Sequence, residues 1–256
     1  MNIYDFPPIE ALITAAYWLV TNLSDLLQPL VGAPSAAVAI VLMTVAVRTL
    51  LIPVGRSQVK AGITRRRLAP KIAELRRRHA KKPERLQREI TELYAKEKAS
   101  PLAGCLPVLA QMPILMAVYG LFVHQTINDH PNELLGHTLL GVPLDVGLVG
   151  QLNAGAVTWV SGGVFIAIVV VVAVVAQASR RMLMPPQTPE ETDPQPGVPD
   201  LSGLTRALSF MPFMTAVIAA FVPLAAGLYL MTTTAWTLAE RVVLNRLLGV
   251  ARLDAT

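Results

Sequence analysis

The sequence predicts an all-α membrane protein with five transmembrane helices, and three observations support this prediction. Apolar residues make up 53% of the 256-residue chain. Charged residues make up only 15%, where soluble domains carry about 25%. The mean hydropathy is +0.51, and several stretches approach the roughly 20 apolar residues that a helix needs to cross a bilayer. The composition therefore argues against one or two soluble domains.

The predicted spans follow the apolar stretches. The clearest is 157–179, with the core VFIAIVVVVAVVA, and the region near Pro223 divides 208–246 into a hairpin of two spans. The full division is an N-terminal segment (1–34), a first span (35–54), a basic hairpin (55–104), a second span (105–125), an outer loop (126–156), a third span (157–179), a Pro-rich loop (180–207), the fourth and fifth spans (208–246) and a tail (247–256).

The distribution of basic residues predicts the orientation. Of the 22 Lys and Arg residues, 15 lie between Arg56 and Lys98, whereas residues 1–33 and 127–156 contain none. Loops rich in Lys and Arg stay in the cytoplasm. Five alternating spans with the N-terminus outside and the C-terminus inside put every flanking basic segment on the cytoplasmic side.

The N-terminal segment has two interpretations. Its apolar stretch is short, and Asn22, Asp25 and Gln28 interrupt the second half. A sixth span would place an acidic N-terminus without Lys or Arg in the cytoplasm, against the same rule. An amphipathic helix lying on the extracytoplasmic surface of the membrane fits better.

Residues 56–100 carry 15 basic and 5 acidic side chains, a net charge of +10. Apolar residues recur there at helical spacing in two runs, which predicts an antiparallel helical hairpin in the cytoplasm. Pro83 fits the first turn of the second arm, and Pro70 is expected to bend or interrupt the first arm. Such a charge suits a topology signal, lipid headgroups, or docking to a ribosome, a targeting receptor or a translocase, and charge alone does not separate these. The two runs are Leu68, Ile72 and Leu75, and Leu86, Ile90 and Leu93.

One basic residue, Arg48, lies within the first span, with Thr44 four residues earlier on the same helix face. Arg at a helix centre costs roughly 2.5–3.5 kcal/mol on insertion scales. Arg48 is about 9 Å from the cytoplasmic end at Val54 by the helical rise. Its side chain either reaches the headgroups or forms an electropositive, hydrated cavity that attracts acidic segments.

Five short motifs follow one another along the chain: Val47, Arg48 and Pro53; Leu68, Pro70, Lys71 and Ile72; Ser100-Pro101 with Gly104-Cys105-Leu106-Pro107; Gln111-Met112-Pro113-Ile114; and Phe210-Met211-Pro212. In this order they resemble the YidC/Oxa family of membrane protein insertases. Family members carry a Val-Arg pair followed by an apolar stretch and a Pro, a Leu-Gln-Pro-Lys-Ile-like arm, an Asn-Pro-x-x-Gly-Cys-x-Pro-like segment, a Gln-Met-Pro-Ile-like motif entering a span and a Phe-Met-Pro motif opening the penultimate span. The resemblance covers roughly residues 9–250.

The resemblance implies an insertase and chaperone of the bacterial inner membrane, of the compact Gram-positive or actinobacterial type. It implies a five-span core around a hydrophilic groove that is open to the cytoplasm and the lipid, and no cofactor. The expected partners are nascent membrane proteins and the bilayer, with ribosome, targeting receptor and Sec translocase at residues 56–100. The implied groove residues are Arg48, Thr44, Gln177, Gln111 and Trp236.

The chain departs from the family pattern in its last hairpin. Pro223 is followed by Leu-Ala-Ala, and Thr234 stands where many relatives have Asn. Leu230 occupies a position that is often aromatic in relatives, and Trp236 lies about two turns further on. These changes concern the groove face of the last span.

Three other functions, those of a hydrolase, a nucleic-acid-binding protein and a transporter or channel, agree less well with the sequence. The sequence has no GxSxG or HExxH motif, so an intramembrane hydrolase is not expected. The irregular spacing of His124, His130 and His137 around Glu133 indicates surface histidines rather than a metal site. Nucleic-acid contact is expected only as nonspecific docking of the basic hairpin. A small transporter or channel remains the alternative, although no symmetry-related repeats are present.

Overall fold

The computed structural model describes residues 6–79, 82–97, 116–122, 124, 126–127, 130–183 and 210–248. Within these ranges the protein is mainly helical, as predicted, and residues 116–122 also form helical turns. The helices are α1 (Pro7–Val31), α2 (Ser35–Leu50), α3 (Ile52–Arg78), α4 (Pro83–Lys96), α5 (Leu148–Asn153), α6 (Trp159–Leu183), α7 (Met211–Phe221) and α8 (Leu224–Leu247).

The helices pack around a core to which α2, α6 and α8 contribute most directly. Helix α6 packs against α7 and α8, α8 packs against α2, and α2 also packs against α1. Phe165 of α6 and Ile40 of α2 are among the largest fully buried side chains. Alanine and glycine in the first turn of α8, over residues 225–227, are buried as well, and such small residues let membrane helices approach closely.

Helix α6 is the one described helix that is long and apolar enough by itself to cross a membrane, over Trp159–Met182 with a mean hydropathy of 2.7. It begins two residues after the predicted start because Thr158 caps it. Thr158 Oγ1 accepts from the Ser161 backbone N–H at 3.1 Å, and Ser161 Oγ accepts from the Thr158 N–H at 2.9 Å. This reciprocal arrangement satisfies amide donors that the first turn leaves unpaired. One face stays exposed, with Ile166, Val170 and Val174 four residues apart.

Helices α2 and α3 form a broken pair that meets the same test only when taken together. They are bent by 58° at Leu51, and Pro53 lies at the start of α3, where a missing amide costs no helical hydrogen bond. The break is therefore at Leu51 and not at Pro70. Helix α3 continues through Pro70, since Pro70 lies on the exposed face of the arm, where water can satisfy the carbonyl that loses its donor.

Helix α1 uses two faces differently. Ile9, Ile13 and Val20 are buried, and Ser24 Oγ is 3.0 Å from Ser35 Oγ of α2 in a buried hydrogen bond. The other face is largely exposed yet apolar, and includes a Trp and several Leu side chains. These residues are Leu12, Trp18, Leu19, Leu26 and Leu30.

The segment before α6 folds over the turn between α7 and α8. It contains two short hairpins, β1 (Thr126–Ile127) with β2 (His130–Pro131), and β3 (Thr138–Leu139) with β4 (Val142–Pro143). The second turn, at Leu140 and Gly141, has φ of 54° and 78°, which suits the twist of a two-residue hairpin. The Leu224 N–H donates to Val146 O and the Ala225 N–H to Leu144 O, both at 3.0 Å. We call residues 126–156 the loop cap.

Candidate polar site between the first and last helices

Arg48 lies near the C-terminus of α2, with its side chain turned toward α8. It is half-buried, and its Nε donates a hydrogen bond to Thr233 Oγ1 at 2.8 Å. Guanidinium groups carry five N–H donors in a rigid fork. The bond from Nε therefore helps to orient the guanidinium, and no bond from its two terminal nitrogens to another described residue is present, so that they can face an anion.

Thr44 lies one turn before Arg48 and is 2% exposed. Its hydroxyl donates to the Ile40 carbonyl at 2.7 Å, so that polar group is satisfied within the helix. Thr44 and Arg48 line a cavity of about 30 Å³, which has room for a water molecule or two. The other lining residues are apolar or aromatic: Met43, Val47, Leu51, Val118 and Tyr229.

The three other predicted groove residues are not among those that line this cavity. Trp236 lies on α8 one turn beyond Thr233, and its Nε1 is buried without a hydrogen-bond partner among the described residues. Gln177 is half-buried near the end of α6. Gln111 and the Gln-Met-Pro-Ile motif that contains it lie outside the described residues, as does the Gly-Cys-x-Pro segment. The structure therefore brings Arg48 and Thr44 to one cavity, with Trp236 nearby on the facing helix.

Sequence analysis missed Glu240, which lies seven residues after Thr233 and so on the same face of α8. Its Oε1 is buried and has no hydrogen-bond partner in the described part of the chain. The carboxylate covers Gly55 of α3 so closely that a Cβ on Gly55 would lie 1.8 Å from Oε1. Arg48 and Arg241 lie near enough to act on Glu240 electrostatically. The available signal was a lone carboxylate ending an uncharged stretch, residues 207–239.

Two contacts set the relative direction of the helices at this site. Arg48 meets Thr233 and Gly55 meets Glu240, so positions seven residues apart on one segment face positions seven residues apart on the other. The segments must therefore run parallel. Arg180 at the end of α6 also lies over the Phe210 ring at 4.5 Å, which brings the end of α6 next to the start of α7.

The arms of the hairpin, α3 and α4, are joined by ion pairs outside the apolar core. Glu97 pairs with Arg67 at 2.6 Å and Lys71 at 2.9 Å. The bond from Lys71, followed by the charge of Arg67, lowers the pKa of Glu97. Glu89 links Arg85 of its own helix to His79 at the end of α3. The bond from Arg85 and the nearby His79 lower the pKa of Glu89.

The described residues contain no group of three or more His, Cys, Asp and Glu that could hold a metal ion. His124 instead contacts the Gly120 carbonyl through Nδ1 at 2.8 Å. The polar chemistry of this site therefore rests on a guanidinium, hydroxyls, an indole and a carboxylate. Such groups bind and orient charged or hydrogen-bonding segments of a ligand.

The model of the 60Kd inner membrane protein family matches residues 26–250. The chain belongs to this family, which is the YidC/Oxa family that its motifs resemble. A membrane protein insertase YidC of Oceanobacillus iheyensis is 26% identical over 90% of this chain and 80% of its own length. The chloroplastic inner membrane protein PPF-1 of Pisum sativum is 28% identical over 82% of this chain and 49% of its own.

A shorter match within the YidC/Oxa family is closer in sequence. The membrane protein insertase YidC of Shewanella halifaxensis is 39% identical over 41% of this chain, a match that spans only 19% of the longer relative. The match thus covers most of this chain for the Oceanobacillus relative and less than half of it for the longer Shewanella relative.

Proposed function

We propose that this chain is a membrane protein insertase that inserts integral membrane proteins into the bacterial inner membrane and helps them fold. The observation that carries the proposal is the family match over residues 26–250, together with relatives that are named membrane protein insertases. These names favour insertion over the transporter or channel that the sequence left as an alternative. Nothing in the proposed action requires a nucleotide, a metal or catalysis of a covalent step.

In this proposal the groove receives the polar part of a substrate near Arg48. An acidic segment that must cross the bilayer pays a large cost for leaving water. A half-buried guanidinium held by Thr233 offers a fixed positive charge in a low-dielectric region, where attraction to a carboxylate is stronger than in water. Thr44, Gln177, Gln111 and Trp236 are proposed to line the same groove.

The five-span topology, with the N-terminus outside and the C-terminus inside, is supported by the contacts between helices. The parallel alignment of α2–α3 with α8 requires an odd number of crossings of the membrane between these two helices, and the second, third and fourth predicted spans supply three. The loop cap lies at the end where α8 starts, whereas Arg180, Arg241 and the basic arm lie toward the other end. This separation matches the rule that basic segments remain in the cytoplasm.

Helix α1 is proposed to lie on the outer surface. Its Tyr17 hydroxyl accepts from the Glu133 N–H at 3.4 Å, which connects α1 to the loop cap. Its exposed apolar face suits the boundary between headgroups and acyl chains. The basic hairpin, with a net charge of +10 over residues 56–100, is proposed to dock a ribosome, a targeting receptor or the Sec translocase, without specific nucleic-acid recognition.

The test is complementation of a YidC-depleted bacterium with the wild-type chain and with Arg48→Ala. Insertion of a single-span reporter with an acidic translocated tail is followed by protease protection. We expect the wild type to restore insertion and Arg48→Ala to reduce it selectively for acidic tails, because the fixed charge is gone. Arg48→Lys should keep part of the activity, since the charge remains without the planar fork.

Arg56→Ala is the matched control, because Arg56 is an exposed arginine eight residues further along the same segment. It removes the same charge at the edge of the site and should leave tail selectivity unchanged. A well-expressed wild type that restores no insertion of any reporter would overturn the proposed function. An Arg48→Ala variant that inserts acidic and neutral tails in the same ratio as the wild type would overturn only the role of the arginine.

A further inference from the structure

Glu240 places a charge of the opposite sign within the same polar site as Arg48. Carboxylates accept several hydrogen bonds, yet Glu240 Oε1 is buried and receives none from the described residues. A buried charged oxygen without a donor is costly, and each such exception in a folded protein calls for an explanation, of which a functional role is one. The carboxylate is thus a candidate to receive a donor that the described residues do not supply, such as one from a bound segment.

Arg48 forms no ion pair with this carboxylate among the described residues. Its Nε is bound to Thr233, seven residues before Glu240 on α8, which is about 10 Å at the helical rise. Arg241 is exposed and acts on Glu240 through space, as Arg48 does. The two charges therefore influence each other without forming a contact pair among the described residues.

Gly55 makes room for the carboxylate. The position opposite Glu240 on α3 has no side chain, and a Cβ there would overlap Oε1 at 1.8 Å. Any other residue at this position would push the carboxylate away from the α3 backbone. The carboxylate therefore occupies a defined place between α3 and α8, and does not simply extend into the headgroup region.

We propose that Glu240 is a specificity-determining residue that sets the charge preference of the insertase site. Its negative charge opposes acidic segments at Arg48 and favours segments in which a basic residue lies nearer the cytoplasm than the acidic one. The rise of about 10 Å along α8 from Thr233, which holds Arg48, to Glu240 corresponds to about three residues of extended chain. This inference rests on the proposed insertase function, and it adds a second, opposite element of recognition to that function.

The experiment uses the full-length chain in the depletion strain and three single-span reporters that differ only in their translocated tails. One tail carries two acidic residues, one is neutral, and one carries an acidic residue with a lysine three positions closer to the span. Insertion is measured by protease protection for the wild type, Glu240→Gln and Glu84→Gln. Glu84 is an exposed carboxylate on α4, so it controls for loss of one negative charge elsewhere.

For Glu240→Gln we expect insertion of the acidic tail to rise about two- to fivefold, because a repulsive charge has been removed. The neutral tail should be unchanged, and the mixed tail should lose its advantage over the acidic one. Equal changes for all three tails, or the same pattern in Glu84→Gln, would overturn the proposal. If the wild type fails to insert even the neutral tail, the proposed function fails and the role of Glu240 fails with it.

A second variant moves the carboxylate without removing it. Gly55→Ala should displace Glu240 and produce a similar shift in tail preference. In a Glu240→Ala background, the same Gly55→Ala substitution should have no further effect on preference, because residues that act through one contact are not additive. Additive effects of the two substitutions would contradict the assignment.

Discussion

The two ends of the helical bundle differ in how their buried polar groups are paired. At the loop-cap end, buried Asn132 donates to the carbonyls of Leu121 and His124 and accepts from Leu134. At the other end, the indole N–H of Trp236 and one oxygen of Glu240 are buried without partners among the described residues. At the loop-cap end Asn132 is fully paired, as buried polar groups are in an ordinary protein interior, and Gln151 Oε1 is the one buried side-chain atom there without a partner among the described residues. The unpaired polar atoms at the uncapped end are typical of a site that binds a ligand.

The two ends of the bundle also differ in charge. Residues 127–156 contain no Lys or Arg, whereas the α3–α4 hairpin and the ends of α6 and α8 are rich in them. The cap is acidic, with Asp129, Glu133 and Asp145, whereas the opposite end is basic. This difference in charge suits a protein that admits polar segments from one side only. In this view stability is concentrated at the cap and recognition at the opposite end.

The largest expected effect on stability is at Asn132. Asn132→Ala removes three hydrogen bonds of a residue that is 5% exposed and leaves two carbonyls and an amide without their partner. We expect a loss of about 2–4 kcal/mol in the free energy of unfolding, from the cost of unsatisfied buried groups. Unfolding of the purified protein in detergent by heat or denaturant measures it.

Asn153→Ala is the matched control, since Asn153 is exposed at the end of α5 and should change stability little. Equal stability of the two variants would contradict the assigned role of Asn132. Under conditions where Asn132→Ala remains folded, its preference among reporter tails should be that of the wild type. A changed preference would break the separation between cap and site.

The next effect concerns the contact between the loop cap and the α7–α8 turn. A Cβ on Gly147 would lie 2.8 Å from the Val222 carbonyl oxygen and 2.9 Å from that of Phe221. Because backbone atoms cannot move aside easily, Gly147→Ala should destabilise the protein by about 1–3 kcal/mol. The same unfolding measurement applies.

Gly150→Ala provides the control for this substitution. Its Cβ would meet only a Val146 methyl group at 3.7 Å, and Ala favours the helix more than Gly does. Gly150→Ala should therefore leave stability unchanged or raise it slightly. A loss of stability in Gly150→Ala as large as that in Gly147→Ala would show that the turn contact is not the cause.

These elements differ in how readily the sequence predicts them. The apolar run predicts α6, and its start is displaced only because Thr158 and Ser161 cap each other. Arg48 stands out because one charge interrupts an apolar span. Its partner Thr233 lies 185 residues away, and no local pattern reports such a contact. Glu240 next to Arg241 looks like an ordinary charge at a helix end until the fold places it on Gly55.

The bend between α2 and α3 illustrates the same limit. The prediction placed the irregularity at Pro70, because proline removes one helical hydrogen bond. The fold instead breaks the helix at Leu51 and continues through Pro70. Local propensity identifies residues that can break a helix. Packing of the core and exposure to water decide which of them does.

A smaller effect is expected when the tether of Arg48 is removed. Thr233→Val keeps the shape of the side chain but cannot accept from Nε. Losing one hydrogen bond to a charged group should weaken the preference for acidic tails by about fivefold, or about 1 kcal/mol. Thr232→Val is the control, because the Thr232 hydroxyl donates to the Leu228 carbonyl of its own helix and does not contact Arg48 among the described residues. An unchanged preference in Thr233→Val would show that the tether is unimportant.

The smallest effect is expected in the α3–α4 hairpin, where exposed ion pairs are weak and are screened by salt. The pKa values of Glu97 and Glu89 are lowered from 4.5 in the folded hairpin. Their stabilisation is therefore fully present above pH 4.5 and is lost as the pH falls through the lowered pKa values. Glu97→Gln should reproduce part of this loss at neutral pH, because an amide no longer pairs with Lys71 and Arg67.

Spin labels on exposed positions of the two arms, Ala69 and Gln87, in a Cys105→Ser background report the distance between α3 and α4. We expect the distance distribution to broaden on acidification below pH 4.5 and, at neutral pH, in Glu97→Gln but not in Glu84→Gln. Added salt should broaden it in the wild type as well. A distribution that is indifferent to pH, salt and Glu97 would mean that apolar contacts such as that of buried Leu68 hold the arms together. The basic residues of the hairpin would then not be needed to hold α3 and α4 together, and their charge would serve docking alone.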